Sequence, residues 1–286
     1  MHCAQADEAR FADLLPSVDV VWHVLKPISA AMIHSASCLR LIQKIGVGVN
    51  TIALDAARER GIAVCNMPGA NARSVAEMAL ALMLAALRRL PALEQATRSG
   101  AWVLDASLQD TLGEIGGRTV GLVGAGNVPR LLAPWLTAMG ATVLYTSRDA
   151  KPDFPGTWRT LDSLLAASDI VSLHVPATAQ TQHLIDATAL ARMKPGALLV
   201  NTARGELVDE QALLDALQRV RLAGAALDVF AQEPLPASHP LLAHPRVVAT
   251  PHVAWLTGEM FERSLAIALE NVRRLAAGEA LLHRVA

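Results

Sequence analysis

Residues 120–129 read VGLVGAGNVP, and the placement of this stretch decides the fold. A β-branched apolar run leads into Gly124 and Gly126, and a helical pattern follows over 129–139. The first glycine of such a turn permits the tight bend. The second lets the backbone approach a pyrophosphate, whose charge then rests on the outward-pointing N–H groups of a helix start. A third glycine would serve close helix-to-strand packing, but Pro129 stands there. Proline is tolerated in a first helical turn because its N–H would be unpaired anyway. Two glycines fit an ordinary strand-to-helix turn as well as a nucleotide site, so the surroundings must decide.

Working outward, short β-branched runs alternate with Ala/Leu-rich helical stretches, the pattern of parallel strands with helices on both faces. Around the glycine turn, strands are expected at 119–123, 142–146, 169–174, 197–201, 223–228 and 247–250. Helices are expected at 129–139, 160–167, 187–192 and 209–218. This is the alternation of a doubly wound dinucleotide fold. Before it lie candidate strands at 19–24 (DVVWHV), 41–45 and 62–65, with helices near 3–14, 28–36 and 51–60. A long apolar helix over 73–90 is expected to end at Pro91. The last stretch, 258–277, carries Phe261, Leu265, Ala268, Leu269, Val272 and Leu275 at helical spacing and reads as a closing amphipathic helix. The expected division is residues 1–92 with 259–286 as a smaller domain, and 93–258 as the dinucleotide-binding domain.

Composition bounds the function classes. The 286 residues suit two domains, and a net charge of −1 offers no electrostatic pull toward nucleic acid or an anionic membrane. With 52% hydrophobic and 18% charged residues the chain forms cores. The three cysteines, Cys3, Cys38 and Cys65, lack CxxC spacing, which argues against a disulfide framework or a zinc site and for a reducing cytoplasm. The longest apolar run, MALALMLAAL at 78–87, is too short to span a bilayer, and MHCAQADEAR lacks a signal peptide's apolar region. The expectation is a soluble cytoplasmic protein without metal.

The strand after the glycine turn ends in YTSRD, 145–149. An acidic residue there would bind an adenosine ribose and repel a 2′-phosphate. Ser147 and Arg148 would instead accept that phosphate, so NADP(H) is expected ahead of NAD(H). As a bare solvated charge, Arg148 would carry no such meaning.

Three polar residues follow the carboxyl ends of successive strands, the edge where open α/β sheets bind ligands: Arg204, Glu233 and His252. An arginine can hold a carboxylate with two parallel hydrogen bonds. A histidine can pass a proton near neutral pH, and a glutamate can pair with the imidazole and orient it. A lone His or Glu at a strand end is more often structural, and nine histidines make coincidence easy.

Several ordered stretches carry a resemblance. They are GVGVN at 46–50, GIAVCNMPGANARSVAE at 61–77, GEIGGRTVGLVGAG at 113–126, MKPGALLVNTARGELVDEQ at 193–211, GAALDVFAQEP at 224–234 and TPHVAW at 250–255. Together they resemble the D-isomer-specific 2-hydroxyacid dehydrogenases over nearly the whole chain from about residue 13. The resemblance implies a Rossmann cofactor domain and a flavodoxin-like substrate domain. It implies hydride transfer between NAD(P)(H) and a 2-oxo or 2-hydroxy acid. Arg204 corresponds to the arginine that binds the substrate carboxylate and polarises the carbonyl, His252 to the proton donor and acceptor, and Glu233 to its partner. Asp228 corresponds to the residue that bonds the nicotinamide carboxamide, and Val47 and Gly48 to a backbone loop that helps hold the substrate carboxylate. Asn127 and Val128 fall at the pyrophosphate turn, and Ser74, His174, Val175, Pro176, Thr202 and Ala203 line the cofactor cleft.

TPHVAW and YTSR are similar to the glyoxylate/hydroxypyruvate reductase branch, where Trp255 would wall the side-chain pocket or merely pack at a domain edge. The formate dehydrogenase branch has Gln where Glu233 stands. A phosphoglycerate substrate would need a basic cluster that the sequence does not display. The family's habit implies a homodimer, with 93–117 and Trp102 as an arm reaching the partner. The competing class is a non-catalytic cofactor-sensing or partner-binding module on the same fold. Against the family the chain is short at its front by roughly 30 residues, within ordinary domain sizes. The expected consequence is a substrate domain without its first two strands. Residues 19–24 would then form an exposed apolar edge, unless the start is misassigned or another element covers it.

Overall fold

The computed structural model describes residues 7–102 and 106–286. Cys3, the start of the helix expected at 3–14 and part of the segment 93–117 lie outside the described residues. The chain opens with α1 (Glu8–Leu14), β1 (Val20–His23), α2 (Ala30–Ser35), β2 (Leu41–Lys44), α3 (Leu54–Glu59) and β3 (Ala63–Cys65). It continues through α4 (Ala72–Leu87), α5 (Leu90–Arg98), α6 (Ala106–Gln109), β4 (Thr119–Val123), α7 (Asn127–Ala138), β5 (Thr142–Thr146) and β6 (Thr157–Trp158). Then come α8 (Leu161–Ala167), β7 (Ile170–Leu173), α9 (Ala187–Arg192), β8 (Ala197–Asn201), α10 (Glu210–Gln218), β9 (Leu222–Leu227), α11 (Pro240–Ala243), β10 (Val247–Ala249) and α12 (Gly258–Ala277). The short β6 and α11 are additions to the sequence expectation, because two and four residues are too few to display a period.

By packing the chain forms two units, one running up to Asn71 and resuming at Leu256–Ala286, the other Ala72–Trp255. The sequence pattern places the division at residue 92. The boundary falls earlier because α4 belongs with the second unit, where Ala76, Ala79, Leu82 and Met83 share a core with Leu122, Leu132 and Leu136. That helix also ends sooner than Pro91 suggests, at Leu87. Arg89 turns left-handed (φ 52°), and Pro91 sits in the first turn of α5, where its missing N–H costs nothing.

The second unit is a seven-stranded parallel sheet in the order β10-β9-β8-β7-β4-β5-β6. Helices α8, α9 and α10 bury Leu164, Leu190 and Leu213 on one face, while α4 and α7 cover the other. Burial on both faces explains why these strands read as continuous apolar runs. At Gly121 the packing is tight: a Cβ would lie 2.3 Å from Ser168 Oγ and 2.5 Å from Leu164 Cδ2. Pro129 is buried in the first turn of α7 and does not disturb the helix, whose Leu132, Ala133 and Leu136 are fully buried.

The first unit holds a three-stranded parallel sheet, β1-β2-β3. Helices α2 and α3 cover Ile42 and Val64 on one face. On the other face α12 and the segment after it reach Leu41, Ala63 and Cys65 through Leu275 and Leu281. Strand β1 is outermost, with Trp22 44% exposed. Helix α12 forms where expected, but it buries only part of its apolar stripe: Ala268 is buried and Leu275 packs on the sheet. Met260, Ser264, Ala268 and Asn271 are buried, whereas Phe261, Leu265 and Leu269 are exposed. Polar anchoring sets this rotation. Asn271 Nδ2 donates to Gln43 Oε1 (2.6 Å), its Oδ1 accepts the Leu282 N–H (2.7 Å), and Arg263 Nε donates to Ala70 O (2.9 Å). A buried amide left unpaired would cost more than exposing leucine.

Among the described residues no helix is long and apolar enough to cross a membrane. Cys38 is exposed and Cys65 buried, both as free thiols.

Candidate active site

Strands β8, β9 and β10 are adjacent and parallel, so their carboxyl ends lie side by side. The three segments that leave them carry Arg204, Glu233 and His252. His252 Nδ1 donates to Glu233 Oε2 at 2.6 Å. Glu233 Oε1 accepts the Phe230 N–H at 3.0 Å, so both carboxylate oxygens are held. With Nδ1 committed, Nε2 is the nitrogen left for chemistry. Burial works to raise the Glu233 carboxyl. The bonds from His252 and Phe230 and the charges of His252 and Arg204 outweigh it, and hold the group below the usual carboxylate range.

The backbone aims these side chains. His252 adopts a left-handed conformation (φ 55°), rare for a residue with a Cβ and found where surroundings over-determine it. The fully buried Asp228 does so. Its Oδ1 accepts from Thr250 Oγ1 (2.5 Å) and the Val253 N–H (2.9 Å), and its Oδ2 from the Ala254 N–H (2.9 Å). Its carbonyl accepts the His252 N–H at 2.7 Å. On the next strand Asn201, 1% exposed, plays the same part: its Oδ1 accepts the Ala203 N–H (3.0 Å) and its Nδ2 donates to Arg204 O (2.8 Å). Arg204 itself donates to Ala203 O at 2.6 Å.

The glycine turn fits a dinucleotide. Gly124 (φ 122°) lies so close to β7 that a Cβ would be 2.6 Å from His174 O, whereas the space over Gly126 is open. Gly126 begins α7 with no side-chain cap, so the N–H groups of Asn127 and Val128 point outward unclaimed by one.

A family model described as "D-isomer specific 2-hydroxyacid dehydrogenase, NAD binding domain" matches residues 80–254. The chain belongs to this family. Among relatives of this family member, the D-3-phosphoglycerate dehydrogenase of Mycobacterium bovis is 42% identical over 256 residues, 88% of this chain and 48% of that one. The glyoxylate reductase of Korarchaeum cryptofilum is 39% identical over 258 residues, 88% of this chain and 78% of that one. The chain thus spans about half the length of the phosphoglycerate dehydrogenases it matches. The crystal structure of the TT0316 protein from Thermus thermophilus superposes with a TM-score of 0.92 at 37% identity, covering 99% of this chain and 91% of that one.

The remaining residues singled out in the sequence of this dehydrogenase-family chain fall as follows. Ser74 is buried in α4. His174 leaves β7 with its Nε2 hydrogen-bonded to Ser172 Oγ (3.0 Å), and burial pushes the imidazole down to about 3, so it is neutral at physiological pH. Val175 follows it half-buried, and Pro176 is exposed. Thr202 Oγ1 is buried without a partner, an orphan that a bound cofactor or substrate would satisfy. Ser147 Oγ donates to Asp149 O (2.6 Å), and Arg148 is exposed beside it. Trp255 Nε1 donates to His252 O (2.9 Å). Val47 and Gly48 lie in the first unit on the loop after β2, where Asn66 Nδ2 donates to Val47 O (2.9 Å). Asn201, Thr250 and Gly205 were not singled out, since residues that hold a loop by its backbone leave no spacing signal. Gly205 is required: a Cβ there would be 1.9 Å from the Phe230 carbonyl carbon.

Proposed function

We propose that this protein is an NAD(P)-dependent D-2-hydroxyacid dehydrogenase acting on a small 2-oxo acid such as glyoxylate or hydroxypyruvate, with NADP(H) preferred over NAD(H). The observation that carries the proposal is the Glu233–His252 pair, locked at Nδ1, beside the Arg204 guanidinium. When bound along Gly124, Gly126, Asn127 and Val128, the dinucleotide supplies the hydride. Arg204 binds the substrate carboxylate, and its charge draws electron density onto the reacting carbonyl oxygen. His252 Nε2 delivers a proton to that oxygen, and Glu233 holds the resulting imidazole in place for reprotonation. In the oxidising direction the same nitrogen accepts the hydroxyl proton.

A panel of glyoxylate, hydroxypyruvate and other 2-oxo acids, followed at the reduced-nicotinamide absorbance with each cofactor, tests this. Turnover with NADPH is expected to exceed that with NADH. In Ser147→Asp the preference is expected to reverse by about tenfold or more, since a carboxylate repels a 2′-phosphate. Equal efficiency with NADH in the parent would overturn the cofactor assignment. Cofactor binding without turnover of any acid would favour a non-catalytic module. A second reading takes D-3-phosphoglycerate as the acid, favoured by the 42% identity to the mycobacterial enzymes, and the panel includes it in the oxidising direction.

The protein is further proposed to act in the cytoplasm as a homodimer. Helix α5 buries none of its residues; Leu90 at its start is 49% exposed, and Trp102, beyond its end at Arg98, is 87% exposed. Sedimentation is expected to give twice the chain mass of 30.3 kDa, and a monomer at micromolar concentration would refute the dimer.

A further inference from the structure

Glu233 works only if the loop that carries it keeps still, and a second carboxylate–histidine pair lies against that loop. Glu210, the first residue of α10, uses both its oxygens there. Its Oε1 accepts the Ala231 N–H at 2.8 Å, and its Oε2 lies 3.4 Å from His239 Nε2. Both side chains are largely shielded, 17% and 23% exposed for Glu210 and His239. His239 precedes α11 and sets its ring edge-on to the buried Phe230, with centroids 6.5 Å apart. Phe230 is therefore gripped three ways. Its ring meets His239, its carbonyl lies on Gly205, and its N–H donates to Glu233 Oε1 at 3.0 Å.

We infer that Glu210 and His239 are positioning residues that clamp the Phe230–Glu233 segment from behind, so that Glu233 stays aligned on His252. The sequence gives this a simple logic. The segment has no strand or helix to hold it after β9 ends at Leu227, so its amides must find partners elsewhere. A carboxylate is a strong acceptor for a backbone N–H, and the helix start from which Glu210 projects favours its negative charge. The grip also ties the segment to Gly205, the neighbour of Arg204, so the proton relay and the carboxylate clamp share one support.

The inference rests on the dehydrogenase reading for its kinetic arm but not for its structural one. In Glu210→Ala, kcat is expected to fall about tenfold or more with cofactor Kd unchanged, while Glu210→Gln, which keeps an acceptor for Ala231, stays within about threefold. Glu210→Ala in a Glu233→Gln background is expected to add nothing further, because both changes disable one device. Glu233, faced by Arg204, His252 and the Phe230 N–H, is held low as a carboxyl. Its pairing is lost only as pH falls through that low value, so a loosened loop moves the acid limb of kcat/KM to higher pH. Independently of turnover, the Phe230 and Ala231 amides are expected to exchange with solvent at least about tenfold faster in Glu210→Ala. Should that variant not fold, His239→Ala takes its place with the same readouts. Multiplicative losses in the double variant, an unmoved acid limb, or unchanged exchange at both amides would overturn the inference. Absent turnover in the parent chain would defeat the proposed function and leave the exchange measurement to decide the clamp.

Discussion

In His252→Ala, turnover of the 2-oxo acid is expected to fall about 10³-fold, with the Kd for NADPH unchanged within about twofold. Proton transfer by a positioned side chain contributes on the order of 10²–10⁴-fold. The imidazole's Nδ1 is spent on Glu233, and its backbone is held left-handed beside the buried Asp228. Cofactor affinity should be spared, since the glycine turn sits at the end of β4, in another part of the sheet edge. Stopped-flow measurement of the hydride step together with fluorescence titration of NADPH separates the two effects. A variant within about tenfold of the parent would remove His252 from the chemistry. Histidine→alanine can also loosen the loop, so His252→Asn serves as the companion, with a side chain of closer shape and no useful proton.

The second large effect is expected in Arg204→Lys. The charge survives, but the planar fork that grips a carboxylate with two parallel hydrogen bonds does not. Bonds to a charged group contribute about 1.5–3 kcal/mol each, so kcat/KM for the acid is expected to drop about 10²-fold. KM for the acid should rise and KM for the cofactor stay. A lysine also loses the bond from the guanidinium to Ala203 O, which steadies the side chain before substrate arrives. Full activity in the lysine variant would mean that the substrate carboxylate is held elsewhere.

Much of the candidate site is legible in the sequence. Arg204, Glu233 and His252 were marked by chemistry that suits strand ends, and parallel strands in sequence order put those ends together. The glycine turn was legible because φ values near 122° at Gly124 exclude most other residues. The supports of the site were not legible. The resemblance gives Asp228 a nicotinamide role but does not show that its carboxylate also accepts three bonds that shape the 250–254 loop. Asn201, Gly205, Glu210 and His239 act on backbone atoms far away in sequence, and such contacts impose no spacing. Helix α12 makes the same point in the first unit. Of its stripe of Phe261, Leu265, Ala268, Leu269, Val272 and Leu275, Ala268 is buried and Leu275 packs on the sheet, while the bonds of Asn271 and Arg263 leave Phe261, Leu265 and Leu269 exposed.

The sequence by itself determined the alternation of strands and helices, the glycine turn and the three polar residues at the strand ends. Those depend on local preferences of backbone and side chain that operate within a few residues. Only the tertiary structure decided where the units divide, which face of α12 is buried, and which groups hold Glu233 and His252 in line. Those outcomes depend on satisfying buried polar atoms between distant segments, a condition that exists only once the chain is folded.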